Sequence, residues 1–123
     1  MIIWSFIVKT QDLKEALNKL TDSVRRGRRL YLDPEKRSEL LLWVLDNRYE
    51  DAREVKIPII SIGKYDSGLI GLEYEQLKEV KKAIRYLKDD LVKIILKDNG
   101  VLDKRMPNFR RFSLVINDTE IVL

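Results

Sequence analysis

The chain has 123 residues, with 24 Lys and Arg against 20 Asp and Glu and a formal net charge of +4. That length fits a single domain, residues 1–123, able to bury a hydrophobic core, and 45% hydrophobic with 36% charged residues is a globular balance rather than a disordered one. Cysteine and histidine are both absent, which excludes disulfides, thiolate chemistry, imidazole acid–base catalysis and the usual Cys/His zinc sites.

Ile2, Trp4, Phe6 and Val8 alternate with Ile3, Ser5, Ile7 and Lys9, and both registers are largely apolar, which predicts a first strand buried on both faces or nearly so. Thr10 can cap a following helix with the apolar stripe Leu13, Ala16, Leu17, Leu20 and Val24. Arg25 and Arg26 would fall in its last turn, where cations suit the helix dipole, and Gly27 fits the left-handed position that ends a helix. Residues 28–32 read as a short strand, with Leu30 and Leu32 facing one way and Arg29 and Tyr31 the other.

Asp33-Pro34 has the form of a helix start, an acid at the cap and proline at the first position. It predicts a helix to about Asn47, apolar all round through residues 40–45. Residues 56–62 predict a strand that Pro58 confines to an edge or a first position. Residues 63–71, with three of the five glycines, predict a loop or tight hairpin. Leu77, Val80, Ile84, Leu87, Leu91 and Ile94 recur at steps of three and four and predict a long helix over 73–98, stopped by Asn99-Gly100. The competing reading ends that helix at Lys88 and makes residues 91–97 a strand. Residues 112–116 and 120–123 predict a hairpin about Asn117-Asp118. The class that follows is α+β, a small mostly antiparallel sheet packed against about three helices, one of them long.

Two stretches concentrate the positive charge. Arg25, Arg26, Arg28 and Arg29 lie within five residues, and Lys104, Arg105, Arg110 and Arg111 form a second group with no acid among residues 104–112. Outside them the chain has 16 basic and 20 acidic residues and is net acidic. Tyr31 accompanies the first group, and Phe109 and Phe112 the second. Cations beside aromatics suit a polyanion with stackable bases: the arginines would neutralise phosphates, and Tyr31, Phe109 and Phe112 would stack. Single-stranded DNA or RNA is the expected partner, with no cofactor, no metal and no catalysis. Trp4, Phe6 and Trp43 read as core residues.

The sequence Arg26-Gly27-Arg28, with Tyr31 close behind and Pro34-Glu35 opening a second helix, resembles the archaeal ThermoDBP group of single-stranded nucleic-acid binders. The resemblance covers about a quarter of the chain. It implies a basic cleft lined with aromatics that grips single strands. The abundance of Lys, Arg and Glu with two glutamines also resembles a thermophile's composition.

Two other functions fit parts of the pattern. A viral or archaeal accessory module would use the apolar helices for protein contacts, including a homodimer through the 73–98 helix or the 39–45 helix segment. Asp33 followed by Glu54-Val55-Lys56 has the spacing of a metal-dependent nuclease site, although Asp33 also serves as a helix cap and the predicted helix separates the two halves. No window approaches the ~18 apolar residues of a membrane span, and the apolar N-terminus lacks a basic leader and a cleavage site, so a cytoplasmic protein is expected.

Overall fold

The computed structural model describes residues 1–24, 28–44, 53–66 and 68–123. Along the chain run β1 (Ile2–Lys9), α1 (Thr10–Val24), β2 (Leu30–Lys36), β3 (Glu39–Val44), β4 (Arg53–Tyr65), β5 (Ile70–Leu72), α2 (Tyr74–Arg85), β6 (Leu91–Asp103), β7 (Met106–Ile116) and β8 (Thr119–Val122). The strands form one eight-stranded antiparallel sheet in the order β5-β2-β3-β4-β1-β6-β7-β8, curled into a half-barrel. The mostly antiparallel sheet is as expected. The three helices, one long, are not: the described residues contain two helices, and strand dominates.

Both departures, one helix missing and one shortened, have a physical explanation. Of the helix expected over 33–47, residues 33–44 belong to the β2–β3 hairpin, in which Leu30, Leu32, Leu40, Leu42 and Val44 form one buried face at period two, and residues 45–47 lie outside the described residues. Leu41 and Trp43 are apolar as well, so the run reads as apolar all round and hides its alternation. Pro34 lies inside a register shift between Asp33 and Lys36, where a missing N–H is tolerated. The long helix ends at Arg85 because Val92, Ile94 and Leu96 are buried at period two on β6. The competing reading, a strand after the helix, describes this segment. The segments considered for a homodimer therefore differ from expectation: residues 39–44 are a strand paired on both sides, and α2 buries Leu77, Val80 and Ile84 in the monomer's own core.

The remaining elements follow their sequence signals in part; Thr10 is not a cap, Pro58 is not at an edge or first position, and residues 63–71 are not all loop, since β4 runs to Tyr65 and β5 begins at Ile70. Leu13, Ala16, Leu17, Leu20 and Val24 of α1 are all buried, as their spacing requires. Thr10 does not cap that helix; its hydroxyl donates to the Asp89 carbonyl at 2.8 Å and its N–H to Asp90 at 2.9 Å, tying the start of α1 to the entry of β6. Pro58 sits in an interior strand, at the point where β4 changes partners: residues 53–58 pair with β3 and residues 59–65 with β1. The β7–β8 hairpin turns at Asn117, whose φ of 50° suits asparagine and whose side-chain oxygen accepts the Lys93 N–H at 2.9 Å.

The core lies between the helices and one face of the sheet. Trp4 and Phe6 stack there at 5.0 Å, among Leu17, Leu20, Ile94 and Leu114. Among the described residues the opposite face of the sheet carries no helix, so the side chains that alternate with the core residues are presented away from the core. Among the described residues no helix is long and apolar enough to cross a membrane.

Candidate nucleic-acid interface

On the helix-free face, strand alternation brings Tyr31 of β2 and Trp43 of β3 together. They are directly paired residues, and their rings stack with centroids 4.3 Å apart and planes 20° from parallel. Both are half-buried. Gly71 of β5 pairs with Tyr31 on the other side, and a Cβ there would stand 3.1 Å from Tyr31 Cε1 and 3.2 Å from Arg29 Cδ. Glycine therefore lets the Tyr31 ring and the Arg29 stem lie close against the β5 backbone. Arg29 is exposed and reaches Glu73 Oε1 at 3.3 Å. Arg28 is half-buried just before β2. Arg25, Arg26 and Gly27 lie outside the described residues.

The second cluster occupies the β6–β7 hairpin. Asp103 accepts the Arg105 N–H at 3.0 Å and shapes the turn, leaving the Lys104 and Arg105 side chains exposed. Further along β7, Phe109 is 60% exposed. Arg110 is engaged within the protein: its Nε donates to Asp98 Oδ2 at 2.7 Å, while Asp98 Oδ1 accepts the Gly100 N–H at 2.9 Å. The Arg110 hydrogen bond, followed by that of Gly100, lowers the Asp98 carboxyl below its ordinary value of 3.8. Gly100 has a φ of 98°, at a bulge where three steps of β6 oppose two of β7.

Alternation sorts this cluster between two faces. Phe109 and Arg111 share the parity of Ser113 and Val115 and point to the helix-free face, with Tyr31 and Trp43. Arg110 and Phe112 share the parity of Leu114 and Ile116. Phe112 is packed against the core and helps line a cleft of about 370 Å³ with Ile3, Leu69 and Leu96. It is half-buried on the core-side face, away from Tyr31 and Trp43. The two clusters thus share one sheet face in part, through Arg29, Tyr31, Phe109 and Arg111. They are not adjacent: β2 and β7 are five strand spacings apart, about 24 Å along the sheet. Half-buried Ile7, Ile95 and Val115 and the exposed Lys93 lie on that face between them.

Three sequence assignments change. Trp43, read as core, lies on the helix-free face beside Tyr31. Pro34-Glu35, the part of the ThermoDBP resemblance that should open a helix, lies in β2. Asp33 starts no helix; it is a strand residue sharing a face with Glu54 and Lys56, but Leu41 and Trp43 of β3 stand between Asp33 and β4. That places Asp33 and Glu54 about two strand spacings, or 10 Å, apart, with apolar side chains between them. Among the described residues no three carboxylates are grouped to hold a metal.

The signal for Trp43 was present in the sequence, as odd positions of a strand whose even positions are Leu40, Leu42 and Val44. It was masked because both registers are apolar. No protein-family model matches the chain, and no curated protein matches it.

Proposed function

We propose that this protein binds single-stranded nucleic acid on the helix-free face of its sheet, as a binding protein rather than an enzyme. The observation that carries the reading is the Tyr31–Trp43 stack, two rings held together away from the core with an arginine stem alongside. A base adding to such a stack gains roughly 1–3 kcal/mol regardless of its identity. Phe109 offers a further ring, and Arg111, Lys104 and Arg105 supply exposed cations for phosphates. Of the residues named from sequence, Arg110 is hydrogen-bonded to Asp98 and Phe112 packs against the core. The reading also suits two clusters that are not adjacent on the sheet, since a strand of several nucleotides can reach both and a single nucleotide cannot.

The test is fluorescence anisotropy with labelled oligo-dT and oligo-U of graded length across a salt series. With about four phosphates neutralised, the logarithm of affinity should fall with that of salt at a slope near −3. Affinity should also rise with length until the oligonucleotide spans both clusters. Salt-insensitive binding, or no binding at low salt, overturns the proposal.

A further inference from the structure

A groove of about 810 Å³ lies on the other side of the molecule, between α1 and α2. Five cations line it, Lys14 from α1 and Lys78, Lys81, Lys82 and Arg85 from α2, against the carboxylates of Glu75 and Glu79. Glu75 is already paired with Lys78 at 3.6 Å. Lys14, Lys81, Lys82 and Arg85 make no ion pair among the described residues.

The groove's own hydrogen bonds leave this charge in place. Lys81 Nζ donates to Thr21 Oγ1 at 3.0 Å, and Lys14 Nζ reaches the Arg85 carbonyl at 3.5 Å. Both acceptors are neutral, and each ammonium has two further donors to offer. The dipole of α2 accounts for Lys82 and Arg85 in its last turn. It does not account for Lys14, which lies toward the N-terminal end of α1, where a cation gains nothing from the dipole. Like charges at spacings of three and four destabilise a helix, so the row gains from a counter-charge outside the chain.

We propose that this groove binds a chain of linked phosphates. The row from Lys78 to Arg85 covers two helical turns, about 10 Å. A single phosphate would leave most of that row unserved, whereas linked phosphates meet successive cations. Tyr86 stands at the end of the row, 79% exposed, with the Arg85 guanidinium 5.8 Å from its ring centroid. An aromatic base attached to the phosphates would find its partner there, so the chain can be bare or carried by a nucleoside. This inference does not depend on the sheet-face reading, because the helices cover the opposite face.

The experiment is a calorimetric titration of the full chain with inorganic tripolyphosphate and, separately, adenosine triphosphate, both without divalent metal, and with sulfate as control. Both phosphate chains should bind more tightly than sulfate. Lys81→Met combined with Lys82→Met should weaken both by about tenfold or more, the scale of losing one or two charge-assisted hydrogen bonds. Tyr86→Ala should weaken the nucleotide alone if the base is recognised; equal binding of the two probes to this variant and to the parent assigns the groove to the bare chain. The Trp43→Val variant should bind both probes as the parent does, which separates this groove from the sheet face. Absence of binding, binding no tighter than sulfate, or binding unchanged in the Lys81→Met, Lys82→Met variant with its native circular dichroism overturns the proposal.

Discussion

Replacing Trp43 with valine isolates the stacking contribution. Valine is a good strand former and keeps an apolar side chain opposite Tyr31, so the β2–β3 pairing should survive. The protein loses the aromatic pair, about 0.5–1.5 kcal/mol, and the melting temperature should fall by roughly 2–6 °C for a chain of this size. A bound base loses its stack, worth about 1–3 kcal/mol, so affinity for a single strand should drop roughly 5- to 150-fold at fixed salt. The salt slope should not change, because no cation is removed.

Intrinsic fluorescence supplies an independent reading, since the chain has two tryptophans. Trp4 is fully buried and donates its Nε1–H to the Gly68 carbonyl at 3.0 Å, whereas Trp43 is half-exposed. Quenching on addition of oligo-dT should persist in Trp4→Phe and vanish in Trp43→Val. A Trp43→Val protein with native circular dichroism and affinity within about twofold of the parent would refute the stacking reasoning. Undiminished quenching in that variant would do so as well.

Other perturbations follow from particular contacts. Asp98 has a lowered pKa in the fold, so its ion pair with Arg110 stabilises the protein above the ordinary carboxylate range, and that contribution is lost as pH falls through the folded value. Asp98→Asn should therefore lower stability at neutral pH and flatten its decline below about pH 4, measured by urea unfolding across pH. Glu73→Gln releases Arg29 from an exposed ion pair worth about 0–1 kcal/mol; single-strand affinity should rise up to about fivefold with a steeper salt slope, and a fall would count against Arg29 as a phosphate contact. Leu114→Ala removes a fully buried side chain and should cost about 2–5 kcal/mol, read from the urea midpoint. Gly100→Ala places a Cβ at a φ of 98° and should cost about 1 kcal/mol even though the space around it is open.

Legibility in the sequence followed the contrast between the two faces of each element. The first strand was readable as a short apolar run although both of its registers are largely apolar, while α1 and the Asn117 hairpin were readable because apolar and polar positions separate or a turn residue has one clear use. The β2–β3 hairpin was not, since Leu41 and Trp43 make the outward face as apolar as the inward one, and Asp33-Pro34 imitates a helix cap. The α2–β6 junction failed for a related reason: Leu87, Leu91 and Ile94 continue the helical spacing while Val92, Ile94 and Leu96 satisfy the strand spacing. Propensity favours the strand there, because Val92, Ile94 and Ile95 are β-branched. At the candidate site, the sequence showed which residues are basic or aromatic. It could not show that Arg110 would find Asp98 across a β-bulge or that Trp43 would lie beside Tyr31.

Counting charge along the chain and counting it on the folded surface lead to different places. In sequence, the concentration lies at residues 25–29 and 104–111. In the fold, Arg29 meets Glu73 and Arg110 is committed to Asp98, so part of that charge is answered from within. The lysines of α2 were unremarkable because each has acidic neighbours in sequence, such as Glu75 and Glu79. In the fold Glu75 pairs with Lys78 and Glu79 lines the same groove, but Lys81, Lys82 and Arg85 face Lys14 there and no carboxylate pairs with them among the described residues. A local charge run is easily recognised and easily neutralised by the fold that surrounds it. Charge assembled from two helices is invisible to a linear scan, and where its hydrogen bonds go to neutral acceptors it keeps its full attraction for an anion.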